Sequence, residues 1–175
     1  LTSVSWSKIT DYDDLVEKDG IYYEKFSDKP FTGKVIGNLI KGKIKDGKIE
    51  GEWLWYRNNG TLLGKSNFKD GIRDGEQLGY HENGQLEGIV KYKDGKIEGE
   101  GLFYYDNGQL WIKEHNKDGK KEGAWLLYDE SGQLLEKGNY KDGKEEGEWL
   151  WYDENGRLEK TEIYEEGVLI ETIKH

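Results

Sequence analysis

Polar and apolar residues alternate along this chain in short runs, and Gly-containing turns separate the runs. The stretch "DGKEEGEWLWYDENGRL", residues 142–158, shows the unit: a charged turn at Asp142-Gly143, the aromatic-rich run "GEWLWY", and a second turn at "ENG". "LEKTEIY" returns on the far side of that turn. Aromatic and β-branched residues bounded by Asn-Gly and Asp-Gly, which favour positive φ, predict the two strands of a hairpin. The one candidate for a helix is "DYDDLVEK", residues 11–18.

The hairpin unit recurs without a gap. Asp46, Asp70, Asp94, Asp118 and Asp142 stand 24 residues apart, and Glu166-Gly167 opens a sixth unit. Leu54, Leu78, Leu102, Leu126 and Leu150 repeat in phase, as do Tyr56, Tyr80, Tyr104, Tyr128 and Tyr152. Five phased copies predict a repeat architecture: an all-β, extended single-layer antiparallel meander of tandem β-hairpins. Residues 46–165 hold the five repeats and 20–45 a degenerate first copy. Residues 1–19 read as an N-terminal capping or mobile segment, and 166–175 as a closing strand that covers an open edge.

Turn length decides which side chains share a face, because a slip of one residue reverses a strand. If both turns are three-residue loops ending in a left-handed Gly, Tyr152 lies opposite Leu158 and the Leu and Tyr columns form one apolar face. Trp149 and Trp151 then project from the other. If both are two-residue turns, the tryptophans join the Leu158 column. The first arrangement gathers the repeating columns on one face, so Leu150 and Tyr152 are expected to build the fold and the tryptophans to be available for binding.

The uneven columns agree with that division. Where one copy has Trp149 and Trp151, the others have Trp53 and Trp55, Gln77 and Gly79, Gly101 and Phe103, and Trp125 and Leu127. A residue that only closes a repeat is expected in every repeat. Trp53, Trp55, Phe103, Trp111, Trp125, Trp149 and Trp151 are therefore the candidate binding face, since indoles combine apolar area with a hydrogen-bond donor. The alternative is that bulky residues on a single layer cover one another. Glu50, Asp74, Glu98, Glu122 and Glu146, with Glu52, Glu76, Glu100 and Glu148, are the expected acidic rim, with Lys69, Lys93, Lys117 and Lys141 nearby.

Composition narrows the function. Only 34% of the residues are apolar and 25 are Gly, which suits a thin repeat body better than a thick core. There is no Cys, hence no disulfide or thiolate metal framework. The net charge of −10 disfavours nucleic acid and anionic membrane as partners, although a local basic stripe overrides net charge where it occurs. The chain starts at Leu1 and has no Met, which places the encoded start upstream; an exported bacterial protein that has lost its signal peptide fits, and so does a cytoplasmic one cut at an arbitrary boundary.

Catalytic chemistry is not legible. His81, His115 and His175 fall in different columns, without metal-ligand spacing, and no "GxSxG" turn or strand-to-helix "GxGxxG" occurs. Carboxylates near tryptophans resemble a glycosidase pair, but they repeat along the chain, whereas a catalytic pair needs one asymmetric pocket. No enzyme activity, cofactor or metal is expected.

The pattern "YKDGKxEGEWLWYxENGQL" resembles the MORN repeat, in particular the variant of the bacterial proteins labelled YwqK-family antitoxins. "DGIYYEKFSDKPFTGKV" is similar to the opening of those proteins. The resemblance covers residues 19–175. It implies a curved or twisted antiparallel sheet used for protein interaction, and an antitoxin role. The leading expectation is a non-enzymatic scaffold that holds a basic or amphipathic protein partner on an aromatic, acid-bordered face. The alternatives are a carbohydrate-binding module with Trp platforms and a self-assembling structural protein; the oligomeric state is open.

Overall fold

A computed structural model of the chain describes residues 6–175. Strands make up 65% of it, and the described residues contain no α-helix. The helix candidate near the start is a single 3-10 turn, Tyr12–Asp14, followed directly by the strand Leu15–Lys18. Residues 1–5 of the expected capping segment lie outside the described residues. The chain forms two compact units: the described part of Leu1–Gly84 with Tyr92–Gly95 (unit 1), and Gln85–Lys91 with Lys96–His175 (unit 2).

Each repeat is a hairpin of an outgoing and a returning strand, and its two turns differ. The Asp-Gly turn has two residues, both at positive φ: Asp142 is at 52° and Gly143 at 85°, between Lys141 and Lys144, which pair. That geometry is a type I′ turn, whose twist matches the strands it joins. The other turn is a three-residue loop, Glu154 to Gly156, closed by Asp153 and Arg157 and ending in left-handed Gly156. The chain thus uses one turn of each kind. A break in the outgoing strand at Glu146–Gly147, where Gly147 has φ 73°, absorbs the difference. Between the pairs Tyr140↔Glu145 and Lys137↔Leu150, two residues face four, so register moves by two and the faces are kept.

The resulting faces correct the expectation about the tryptophans. Trp149 pairs with Glu162 and Leu150 with Thr161; Trp53 pairs with Ser66 and Leu54 with Lys65. The Trp columns indeed oppose the Leu column, but Trp53 is 1% and Trp149 3% exposed, while Leu54, Leu150, Tyr56 and Tyr152 are all half-buried. Trp53 and Trp149 are core residues and present no free indole face. Their columns vary because neighbouring side chains compensate in size. Trp53 lies flat on Gly42 and Trp149 on Gly138, where any Cβ would overlap the ring, whereas the space beside Gly101 is filled by Glu114 and Val90. Close packing constrains the local sum of volumes, and a repeat can meet that constraint with a large residue on either strand.

In unit 1 this face is covered. Leu15, Phe31, Val35, Ile44 and Trp53 form its core, with Tyr12, Tyr22, Ile49 and Phe68 against it. Leu15 belongs to the hairpin Leu15–Lys18/Ile21–Glu24, which is separate from the main sheet. In unit 2 every strand belongs to the main sheet, so its tryptophan face has no second layer of its own unit over it.

The first acidic column has a structural task at every repeat. An Asp-Gly turn leaves the Asp N–H without a partner in its own hairpin, and a carboxylate 20 residues earlier accepts it: Asp70 N–H to Glu50 (3.0 Å), Asp94 to Asp74 (3.3 Å), Asp118 to Glu98 (2.9 Å), Asp142 to Glu122 (2.8 Å) and Glu166 to Glu146 (3.0 Å). The turn Gly donates alongside it to the preceding repeat, as Gly143 N–H does to the Lys121 carbonyl (2.9 Å). At the first turn, Thr32 Oγ1 takes the place of the carboxylate and accepts from Asp46 N–H at 2.8 Å. These five acids are turn clips and not a free rim. Glu122→Ala is expected to cost about 1 kcal/mol and to speed hydrogen exchange at the Asp142 amide, while Glu122→Gln keeps an acceptor oxygen and most of the stability. Urea melts with amide exchange by NMR measure both.

Candidate acid–aromatic site on unit 2

The uncovered face of unit 2 carries a ladder of rings. Trp125, Tyr140, Trp149 and Tyr164 come from successive strands and meet edge to face, with centroids 5.9, 5.1 and 6.0 Å apart. This spacing is the favourable T-shaped range for aromatic pairs. Lys121 Nζ lies 3.8 Å from the Trp125 ring centre and 4.9 Å from that of Tyr140, and Lys160 Nζ lies 4.3 Å from that of Trp151. The indole N–H groups of Trp125, Trp149 and Trp151 are buried and complete no hydrogen bond. In unit 1, by contrast, Trp53 Nε1 donates to the Lys43 carbonyl at 3.0 Å.

Four carboxylates act on this ladder, and only two of them are matched by lysines. Lys121 pairs with Glu114 at 3.5 Å, and Asn116 Nδ2 donates to the same carboxylate at 2.9 Å. Lys160 pairs with Glu162 at 2.7 Å, and the Tyr164 hydroxyl donates to its other oxygen at 3.2 Å. Glu136, 9% exposed beside Trp151, has neither an ion pair nor a completed hydrogen bond among the described residues. Burial pushes its carboxyl above the ordinary glutamate value of 4.5, and Glu162 adds to the rise; the Trp125 N–H, directed at it without closing a bond, and the two lysines offset part. Glu162 is held below the ordinary value by the Lys160 hydrogen bond. The Tyr140 hydroxyl is pushed up to about 12 by burial and then by Glu145, Glu136 and Glu114. The face thus carries an unbalanced negative field in a poorly solvated, aromatic setting.

A definite pH response follows. Glu136 binds its proton more tightly folded than unfolded, so the penalty for its charge is fully present above its raised pKa and is relieved as the pH falls through that value toward the ordinary one. Glu162 does the opposite: its stabilisation is present above the ordinary glutamate value and is lost as the pH falls through its lowered pKa. Glu136→Gln is expected to raise stability at pH 7, with the gain shrinking toward pH 4, as measured by thermal melts across that range.

Of the seven aromatic residues expected to form one face, Trp125, Trp149 and Trp151 gather in this cluster, with Trp149 buried. Trp55 is half-buried in unit 1 between Trp53 and Phe68, with centroids 6.5 and 6.2 Å away. Phe103 lies against Gly88, and Trp111, 42% exposed, stacks on Tyr105 at 5.7 Å. In the second acidic column, Glu52 pairs with Lys65 at 3.6 Å and Glu100 with Lys113, while Glu76 and Glu148 are exposed. The expected lysine neighbours are not the ones used at the turns, where Lys96 and Lys120 sit 3.7 and 3.8 Å from Asp118 and Asp142.

Glu136, Glu162, Lys121 and Lys160 were not among the expected site residues. Their signal in the sequence is departure from the repeat. Glu136 stands where other copies have Gly64, Gly88, Ile112 and Lys160, and Lys121 stands where they have Ile49, Arg73, Ile97 and Glu145. Among the described residues, no group of three or more His, Asp or Glu is arranged to hold a metal ion.

The model of the MORN repeat variant matches residues 49–70, 73–94, 97–118, 121–142 and 145–166, and the chain belongs to that family. The five matched segments coincide with the five structural hairpins. MORN repeats form scaffolds suited to binding, and the family is generally non-catalytic. No curated protein matches the chain.

Proposed function

We propose that this protein is a non-catalytic repeat scaffold that binds a protein partner, and that the acid–aromatic face of unit 2 receives a lysine or arginine side chain from it. The observation that carries this reading is Glu136, a nine-tenths-buried carboxylate among tryptophans with no cation of its own. A guest cation there gains the Glu136 carboxylate in a poorly solvated aromatic setting, beside the Trp125 and Trp151 rings that Lys121 and Lys160 already cover. Charge distribution supports the same partner chemistry. Unit 2 holds 21 acidic and 12 basic residues, net −9, while unit 1 holds 15 and 14, net −1. A negative unit speeds encounter with a basic surface. Resemblance to the antitoxin group makes a toxin the kind of partner to look for first.

The test is affinity capture from a cell lysate with wild-type, Glu136→Gln and Trp151→Ala baits, read by mass spectrometry. The expected result is one protein held by the wild type, lost from both variants, and released by salt at about 300 mM, where surface charges are screened. Capture that ignores the Gln substitution overturns the reading. Retention on glycan resins that survives salt points instead to carbohydrate, and size that grows with protein concentration points to self-assembly.

A further inference from the structure

The opposite face of unit 1 has reversed charge. Residues 33–48 contain Lys34, Lys41, Lys43, Lys45 and Lys48 against Asp46 alone, in a chain of net charge −10. Pairing puts Lys34 beside Lys43 and Ile36 beside Lys41 on the strands Gly33–Ile36 and Ile40–Lys45, with Leu54 and Lys65 continuing the row. Ile9 lies next to Lys34 on the other side. Ile9 and Ile36 are 59% and 44% exposed.

These lysines have no anionic partner among the described residues, apart from Lys65 with Glu52. Lys43 Nζ rests 5.4 Å from the Trp6 ring centre and Lys41 Nζ 5.0 Å from that of Tyr56. The carboxylates on this face are Glu52, paired with Lys65, Glu50, which stands opposite Lys43 and accepts from the Asp70 N–H at 3.0 Å, and Asp11, which accepts from the Asp13 N–H at 2.9 Å. Lys34, Ile36, Lys41, Lys43 and Leu54 line a shallow groove of about 240 Å³, with Glu52, held by Lys65, as its one carboxylate.

We propose that this basic, isoleucine-edged groove of unit 1 is a second docking surface, and that its occupant is an acidic segment of another protein in extended conformation. The lysines are spread over two strands, Lys41 and Lys43 rest on different rings, and they do not converge as a site for one phosphate would require. An extended segment presents every second side chain, about 7 Å apart, to the surface it lies on, so acidic residues at alternate positions suit charges distributed in this way, and their methylenes lie against Ile36 and Leu54. A short segment touches only this patch, whereas a long polyanion such as nucleic acid is repelled by the rest of the chain. The site is independent of the face assigned to unit 2 and stands if that assignment fails.

The probe is a fluorescent ten-residue peptide alternating glutamate with serine, titrated into the full chain and followed by anisotropy. Binding is expected to weaken about tenfold or more between about 50 and 300 mM salt. It is also expected to be lost in the K34E/K41E/K43E variant, whose exposed positions leave the fold intact by circular dichroism. The K69E/K93E/K117E variant has the same net charge change outside the groove and should keep most of the affinity. Equal loss in both triple variants means long-range charge alone and overturns the site. So does absence of peptide binding at low salt, including the case where inorganic phosphate or vesicles of anionic lipid bind in its place. A change confined to self-association in K34E/K41E/K43E assigns the groove to a second copy of the chain and overturns the proposed occupant.

Discussion

Trp149→Ala is expected to destabilise unit 2 by about 3–5 kcal/mol, the range for removing a large aromatic from a packed site. Trp149 is 3% exposed and wedged between the edges of Tyr140 and Tyr164, with Gly138 against its face. Removing it breaks two ring contacts and leaves a cavity that an all-β sheet with no second layer cannot collapse to fill. A loss of that size is a large part of the roughly 5–15 kcal/mol that holds a domain folded. Leu150→Ala, one residue on and half-buried, is expected to cost about 1–2 kcal/mol, because it is smaller and less deeply buried than Trp149. Trp53→Ala and Leu54→Ala should show the same order in unit 1. Urea melts of the four variants decide the point, and a Leu variant less stable than its Trp neighbour would reverse the assignment of faces.

Gly138→Ala is the second large effect. The Trp149 indole lies where the new Cβ must go, and Gly138 is not at positive φ, so the penalty is steric. Overpacking of this kind costs about 1–3 kcal/mol, and more where the neighbour is a rigid ring with nowhere to move. Size compensation makes a stronger prediction than the single substitution does. In a Gly138→Ala background, Trp149→Leu should cost less than it does alone, with a coupling of about 0.5–3 kcal/mol as expected for residues in contact. Additive losses would mean that the two positions do not share one volume, and the explanation of the uneven columns would fail. Gly42→Ala with Trp53→Leu repeats the experiment in unit 1.

The repeat, its period and its hairpins are legible because they rest on local signals. Asp142-Gly143 and Asn155-Gly156 announce their turns by residue type, and the 24-residue phase follows from counting. The face that is buried was not legible in the same way. It depends on combining a two-residue turn with a three-residue one and a strand break at Glu146–Gly147, and on a register shift that no single turn reveals. Unevenness of the Trp columns suggested exposure, although Gly42 beside Trp53 and Gly138 beside Trp149 show the opposite once strand pairing is known. The acidic column starting at Glu50 looked like a solvated rim because its acceptors serve backbone N–H groups 20 residues away, which leave no trace in side-chain pattern. Glu136 stands in a column with no shared residue, Gly64, Gly88, Ile112 and Lys160 in the other copies, so the repeat pattern assigns it no role.

The functional account turns on whether Glu136 carries an unmatched charge on the aromatic face of unit 2. The direct measurement is its own titration in the full-length chain, followed by the side-chain carboxyl 13C shift and assigned with the Glu136→Gln variant. A midpoint above the ordinary glutamate value of 4.5 is the predicted result, because burial and the neighbouring Glu162 both oppose ionisation. A midpoint at or below that value would mean that Lys121, Lys160 and the Trp125 N–H already satisfy the carboxylate, and the face would have no vacancy for a partner's cation.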